Sequence, residues 1–100
     1  MDQIKSVIMN NPSPNKWFYF NIDDETMNLI EETSNNIELL KFITSILDNI
    51  EDIEITSKVI KYEFEFKPFV YFTYKKLNIK YSLTITYDSR SYPYWLIESL

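Results

Sequence analysis

The sequence predicts an α+β domain in which an antiparallel meander of three to four strands packs against one main amphipathic helix and a shorter one. Three observations carry that expectation. Between Asn35 and Ile50 the apolar residues recur every three or four positions, the period of a helix with one buried face. After Thr56 the period drops to two and holds to Tyr87, as in strands with one apolar side. The segments that alternate are joined by a few residues each, which favours antiparallel neighbours over crossover connections. One hundred residues make one domain, and with 45% hydrophobic and 17% aromatic residues the chain can build a core.

Taken in order, the first apolar segment, Ile4 to Met9, stops at Asn10-Asn11-Pro12-Ser13-Pro14-Asn15, a loop by its two prolines and three asparagines. Lys16 to Ile22 holds five large apolar or aromatic residues. It predicts a strand buried on both faces or covered by another element. Asp23-Asp24-Glu25 opens a short helix over Asp24 to Glu32, with an Asp N-cap and an acidic first turn that suit the helix dipole, and a break near Ser34-Asn35. Residues 1–33 thus form an N-terminal extension to a helix-plus-meander unit over residues 35–97.

The main helix starts at Asn35, with Glu38 three residues on as in a capping box, and buries Leu39, Leu40, Ile43, Ile46, Leu47 and Ile50. Asp48, Glu51 and Asp52 oppose the dipole at its far end. In the first meander strand Ile60, Tyr62, Phe64 and Phe66 alternate with Lys61, Glu63, Glu65 and Lys67, and Lys67-Pro68 predicts a turn. Val70, Phe72 and Tyr74 form the inward side of a second strand, with Phe69, Tyr71 and Thr73 outward. Lys76-Leu77-Asn78 turns again, and Ile79, Tyr81, Leu83, Ile85 and Tyr87 face the helix from a third. Tyr81 and Tyr87 read as core residues with hydroxyls at the rim. The opposite face of the meander is expected to be polar and wet.

The tail, Tyr92-Pro93-Tyr94-Trp95-Leu96-Ile97, is very apolar, and Pro93 argues against a central strand. Either this segment folds back onto the core or the protein continues past Leu100.

Composition excludes more chemistry than any motif includes. The chain has no cysteine, histidine or glycine. Thiolate nucleophiles, disulfides, zinc–sulfur sites, histidine bases, P-loops and dinucleotide fingerprints are therefore all ruled out. Alanine is missing too, and Arg90 stands alone against nine lysines, the codon signature of an A/T-rich genome such as that of a large DNA virus or a protist. Turns must use Asn, Asp, Ser and Pro in place of glycine.

The net charge of −5 and the scattered lysines argue against nucleic acid as a partner, since phosphate neutralisation needs a basic patch. No apolar run approaches the roughly 20 residues that cross a bilayer, and Met1-Asp2-Gln3-Ile4-Lys5 is no signal peptide, which predicts a cytoplasmic protein without membrane or cofactor. The carboxylate clusters Asp23-Asp24-Glu25, Glu31-Glu32 and Glu51-Asp52-Glu54 fall at helix ends or on solvent faces, where capping and solvation account for them. The serines have no histidine to activate them. What is left is aromatic surface. Trp and Tyr are enriched at interface hot spots, and Trp17, Tyr92, Tyr94 and Trp95 are the candidate contact residues for a protein partner.

Two short motifs point to a family. Leu83-Thr84-Ile85-Thr86-Tyr87 leads to Tyr92-Pro93, and Glu38 is followed by Ile43-Thr44-Ser45-Ile46. With one helix followed by a meander, this resembles the first two-thirds of the ubiquitin-conjugating-enzyme-like fold and its non-catalytic relatives, the RWD domains, over roughly Asn35 to Ile97. The chain departs from that pattern in three ways. Four residues separate Tyr87 from Tyr92, one more than is usual in conjugating enzymes. Leu96-Ile97 stands where a further proline is expected, and the active-site cysteine and His-Pro-Asn segment are absent. The resemblance implies an incomplete or inactive member acting as a protein-binding scaffold. The expected function is a non-catalytic interaction domain, with an N-terminal accessory domain of a larger viral enzyme and a carboxylate-based hydrolase as the alternatives.

Overall fold

The computed structural model describes residues 2–11, 13–33 and 35–100, with Asp2 as backbone only. Pro12 of the predicted loop and the predicted break at Ser34 lie outside the described residues. The element order is α1 (Asp2–Asn10), β1 (Trp17–Asn21), α2 (Asp24–Glu32), α3 (Asn36–Asp48), β2 (Ile53–Glu63), β3 (Glu65–Tyr74), β4 (Ile79–Tyr87) and β5 (Pro93–Ser99). The fold is α+β, with a five-stranded antiparallel sheet in the order β1-β5-β4-β3-β2. Helices lie on one face.

Local chemistry sets most of the boundaries. Asp23 caps α2, its carboxylate accepting from the Thr26 amide (3.3 Å) and hydroxyl (2.7 Å). Asn35 caps α3 by accepting from the Ile37 amide at 2.9 Å. Glu38 pairs with Lys41 instead of reaching back, so the expected capping box is only half formed. Asn15, Asp52, Asn78 and Ser91 occupy the left-handed region at turns, short polar side chains taking positions that glycine usually fills.

The core joins Ile4 and Ile8 of α1 and Leu39, Ile43 and Leu47 of α3 to the inward residues of the sheet. Val70, Phe72 and Tyr74 meet Leu83, Tyr81 and Ile79 across the β3–β4 ladder, and Ile97 and Trp95 meet Leu83 and Ile85 across β4–β5. The alternation of these strands agrees with the sequence. The Tyr81 hydroxyl is not at the rim: it donates to the Ile8 carbonyl at 3.0 Å inside the core and fastens α1 to the sheet. Desolvation there raises its pKa.

Four readings of the sequence are refined or corrected. The segment Ile4 to Met9 is part of a helix whose Ile4 and Ile8, four apart, share one buried face. The chain does not turn at Lys67-Pro68, which pairs with Lys61 and Ile60 within the β2–β3 ladder; it turns at Phe64. Pro68 is tolerated because the β3–β4 ladder begins only at Phe69, so the strand is edge-like on that side. The tail folds back as β5, an interior strand. Pro93 fits because it is the first residue of β5, before the ladder to β1 begins at Tyr94. Finally, β1 is an edge strand with one open face, and Trp17 and Tyr19 on that face are exposed.

Candidate interaction surface

The pairing registers lay out the face of the sheet that carries no helix. Three rows cross it: Trp17-Glu98-Ser82-Tyr71-Ser57, then Tyr19-Leu96-Thr84-Phe69-Val59, then Asn21-Tyr94-Thr86 running on to Lys67 and Lys61. Small hydroxyl residues fill the β4 column, and larger side chains stand on both sides of it. Ser82 and Thr84 are buried under these neighbours, as is Phe69. The centre of this face, lined by hydroxyls, is therefore closed to solvent, and not wet as the sequence suggests. Lys61 covers it. Its Nζ lies 4.4 Å from the centre of the Phe69 ring and donates to the Tyr71 hydroxyl. That hydrogen bond is the main cause of its raised pKa, opposed by desolvation. Lys67 donates to the Thr86 hydroxyl at 3.0 Å.

The four candidate residues separate. Trp17, 60% exposed, lies at one corner of the open face on β1, and the half-buried Tyr94 lies on its far row. Exposed Tyr92 belongs to the loop before β5, where Arg90 stacks on its ring at 5.2 Å and Asp88 organises the turn. Asp88 accepts from the Tyr92 amide (3.0 Å), the Arg90 amide (2.8 Å) and the Tyr94 hydroxyl (3.3 Å). The Tyr92 amide bond leads the interactions that hold the Asp88 carboxyl below the usual range. Trp95 is no surface residue. It points to the helix side and is 2% exposed, with its indole N–H directed at Asp23 Oδ1 at 3.5 Å. As odd and even positions of one strand, Tyr94 and Trp95 cannot share a face.

A second aromatic group stands at the tip of the β2–β3 hairpin. Ile60, Tyr62, Phe64 and Phe66 are all exposed, Phe64 at 97%. Tyr62 and Phe66 are cross-strand partners whose rings meet edge to face at 5.3 Å. The hairpin closes on Phe64 alone, between paired Glu63 and Glu65, and Phe64 adopts φ 68°. A bulky residue in the left-handed region is sterically costly, at roughly 1–2 kcal/mol. Sequence reading placed these residues on the buried face of a strand. The signal it passed over is length, since a strand that runs to Glu63 outreaches the helix meant to cover it.

Between α2, α3 and the start of β3 lies a cleft of about 500 Å³, lined by Glu31, Glu32 and Glu65 as well as Ile30, Leu39 and Phe66. The three carboxylates are exposed. Tyr87 at the wall has a raised pKa, through burial first and nearby Glu65 second. Asp23 shifts the other way: burial acts to raise it, but hydrogen bonds from Thr26 and Trp95 hold its carboxyl below the usual range. The two carboxyls that shift, Asp23 and Asp88, both shift downward, away from the range that suits a general acid. Among the described residues no group of three or more acids could hold a metal ion, and no helix is long and apolar enough to cross a membrane.

No known family model, characterised protein or solved structure matches the chain.

Proposed function

We propose that the chain is a non-catalytic protein-binding module whose β2–β3 hairpin acts as an aromatic finger. The observation that carries this reading is Phe64. It is almost wholly exposed, it sits in a backbone conformation that disfavours it, and its ring adds nothing to the core. Asn at the same place would adopt this conformation more easily and dissolve better. A strained, exposed aromatic at a loop tip is a feature kept for what it touches. Burying one such ring in a partner's pocket contributes about 2 kcal/mol or more, enough for a hot spot.

The chemistry around the tip selects the partner. Glu63 and Glu65 flank Phe64, and the chain carries a net charge of −5, so an anionic lipid surface or a phosphate backbone is repelled. An apolar pocket rimmed by basic side chains on another protein fits both features. The resemblance of Asn35 to Ile97 to RWD domains supports the same role.

The test is Phe64→Asn. The variant folds at least as well as the parent, and a partner retained by the parent from lysate of the source organism is no longer retained. Equal retention by both proteins, or a partner lost only from unfolded variants, would sink the finger.

A further inference from the structure

We propose that β1 is a pairing edge for a second copy of this chain, joining two sheets of five strands into one continuous sheet of ten across a two-fold axis at Tyr19. The backbone phase of β1 follows from its end. Ser99 N–H donates to the Lys16 carbonyl at 2.8 Å, so Lys16 directs its polar groups at β5. By the alternation of an antiparallel ladder, Phe18 and Phe20 do the same, while Trp17, Tyr19 and Asn21 turn theirs outward. Among the described residues no strand pairs with that outer side.

Those outward groups are self-complementary. Antiparallel pairing about Tyr19 sets Trp17 opposite the second copy's Asn21 and Tyr19 opposite its own equivalent. Three pairs then exchange about six N–H···O bonds. The faces match as well. Trp17, Tyr19 and Asn21 extend the open face of each copy, and Phe18 meets Phe20 on the helix side.

Charge selects the same arrangement. Lys16 lies at one end of β1 and Asp23, Asp24 and Glu25 follow the other, so an antiparallel second copy sets opposite charges together at both ends, whereas a parallel one sets like against like.

The other edge is defended. β2 carries a bulge between Ile55 and Ser57, with exposed Lys58 beside it and Glu54 and Lys61 further along. β1 has no charge, proline or bulge between Trp17 and Asn21, and its Trp17 and Tyr19 are 60% and 58% exposed. An unprotected apolar edge invites strand addition.

The chain has no cysteine, so single-site labelling is direct. Sedimentation of the full chain should give a dimer mass. A nitroxide on Tyr19→Cys should show strong spin–spin broadening, because residues facing each other across a hydrogen-bonded pair lie about 5.5 Å apart. The same label on Lys58→Cys should stay sharp. Tyr19→Lys opposes like charges at the axis and should weaken the dimer at least about tenfold. Phe64→Asn should leave the dimer intact, which separates this interface from the finger. A monomer at the highest soluble concentration overturns the proposal. So does a dimer that broadens at Lys58, stays sharp at Tyr19, or survives Tyr19→Lys unweakened. A monomer that takes up only an extended peptide of another protein overturns it too.

Discussion

At its base the β2–β3 hairpin lays Ile53, Ile55, Phe72 and Tyr74 under α3; at its tip the same kind of alternation leaves Ile60, Tyr62 and Phe66 in solvent. Nothing in the side chains distinguishes the two ends. Geometry does. The 13 residues of α3 span about 20 Å at 1.5 Å each, whereas the 11 residues of β2 span about 35 Å. One helix of this length covers little more than half of the strand. Alternation tells which residues share a face; the length of the covering element tells which of them are buried.

The largest effect that can break this contrast is at the base. Phe72 is fully buried, stacked on Tyr81 at 5.3 Å between centroids. Phe72→Ala should cost about 3–5 kcal/mol, measured by denaturant unfolding. Phe66→Ala at the tip removes the same ring and should cost under about 1 kcal/mol. Similar losses at both positions would mean that the tip is covered after all.

Away from the hairpin, the helix side of the sheet has an electrostatic anchor of its own. Asp23 caps α2 and receives the Trp95 indole N–H, joining a helix to the core of β5. Asp23→Ala should cost about 1 kcal/mol, and Asp23→Asn, which keeps a capping oxygen, should cost less. Because the folded carboxyl titrates below its ordinary value, its contribution is complete above that value and is lost as pH falls through the lower folded one. The parent should therefore lose stability on acidification more steeply than Asp23→Asn, as followed by thermal melts from neutral to acid pH. Parallel curves would remove Asp23 from the account.

How far the sequence could be read follows the same division. α2 was legible to the residue, since an Asp cap and an acidic first turn are local signals. The inward side of β4 was legible because Lys80, Ser82, Thr84 and Thr86 alternate with its apolar residues, and the inward side of β3 followed from the same period of two. The partner of β1 was not. Its ladder to β5 joins Trp17 to Glu98, a pairing set by closure of the whole sheet and by no local pattern. Of the surface candidates, Trp17 stood out by residue type and is exposed, while Trp95 stood out equally and is buried. Type alone does not choose between alternate positions of a strand. Phe64 was hidden because turn chemistry pointed to Lys67-Pro68, and a phenylalanine is the residue a left-handed turn position least favours.

That misfit gives a prediction of opposite sign at the tip. Phe64→Asn exchanges a bulky residue for one that tolerates positive φ, leaves the core packing untouched, and should stabilise the fold by about 1 kcal/mol. A rise in the denaturation midpoint at unchanged slope would register it. Destabilisation would mean that the Phe64 ring packs on something in solution.

The smallest effect concerns the edge-to-face pair of Tyr62 and Phe66 just behind the tip. An exposed aromatic cross-strand pair contributes about 0.2–1 kcal/mol, and both rings are largely in solvent. Tyr62→Ala should therefore shift stability by about 0.5 kcal/mol. The double variant with Phe66→Ala should cost less than the two single changes added, since each removes the same ring–ring interaction. Additive losses would indicate that the rings act separately, and the finger would then owe its shape to the β2–β3 ladder alone. A measurable coupling would make the pair a brace that keeps Phe64 projecting.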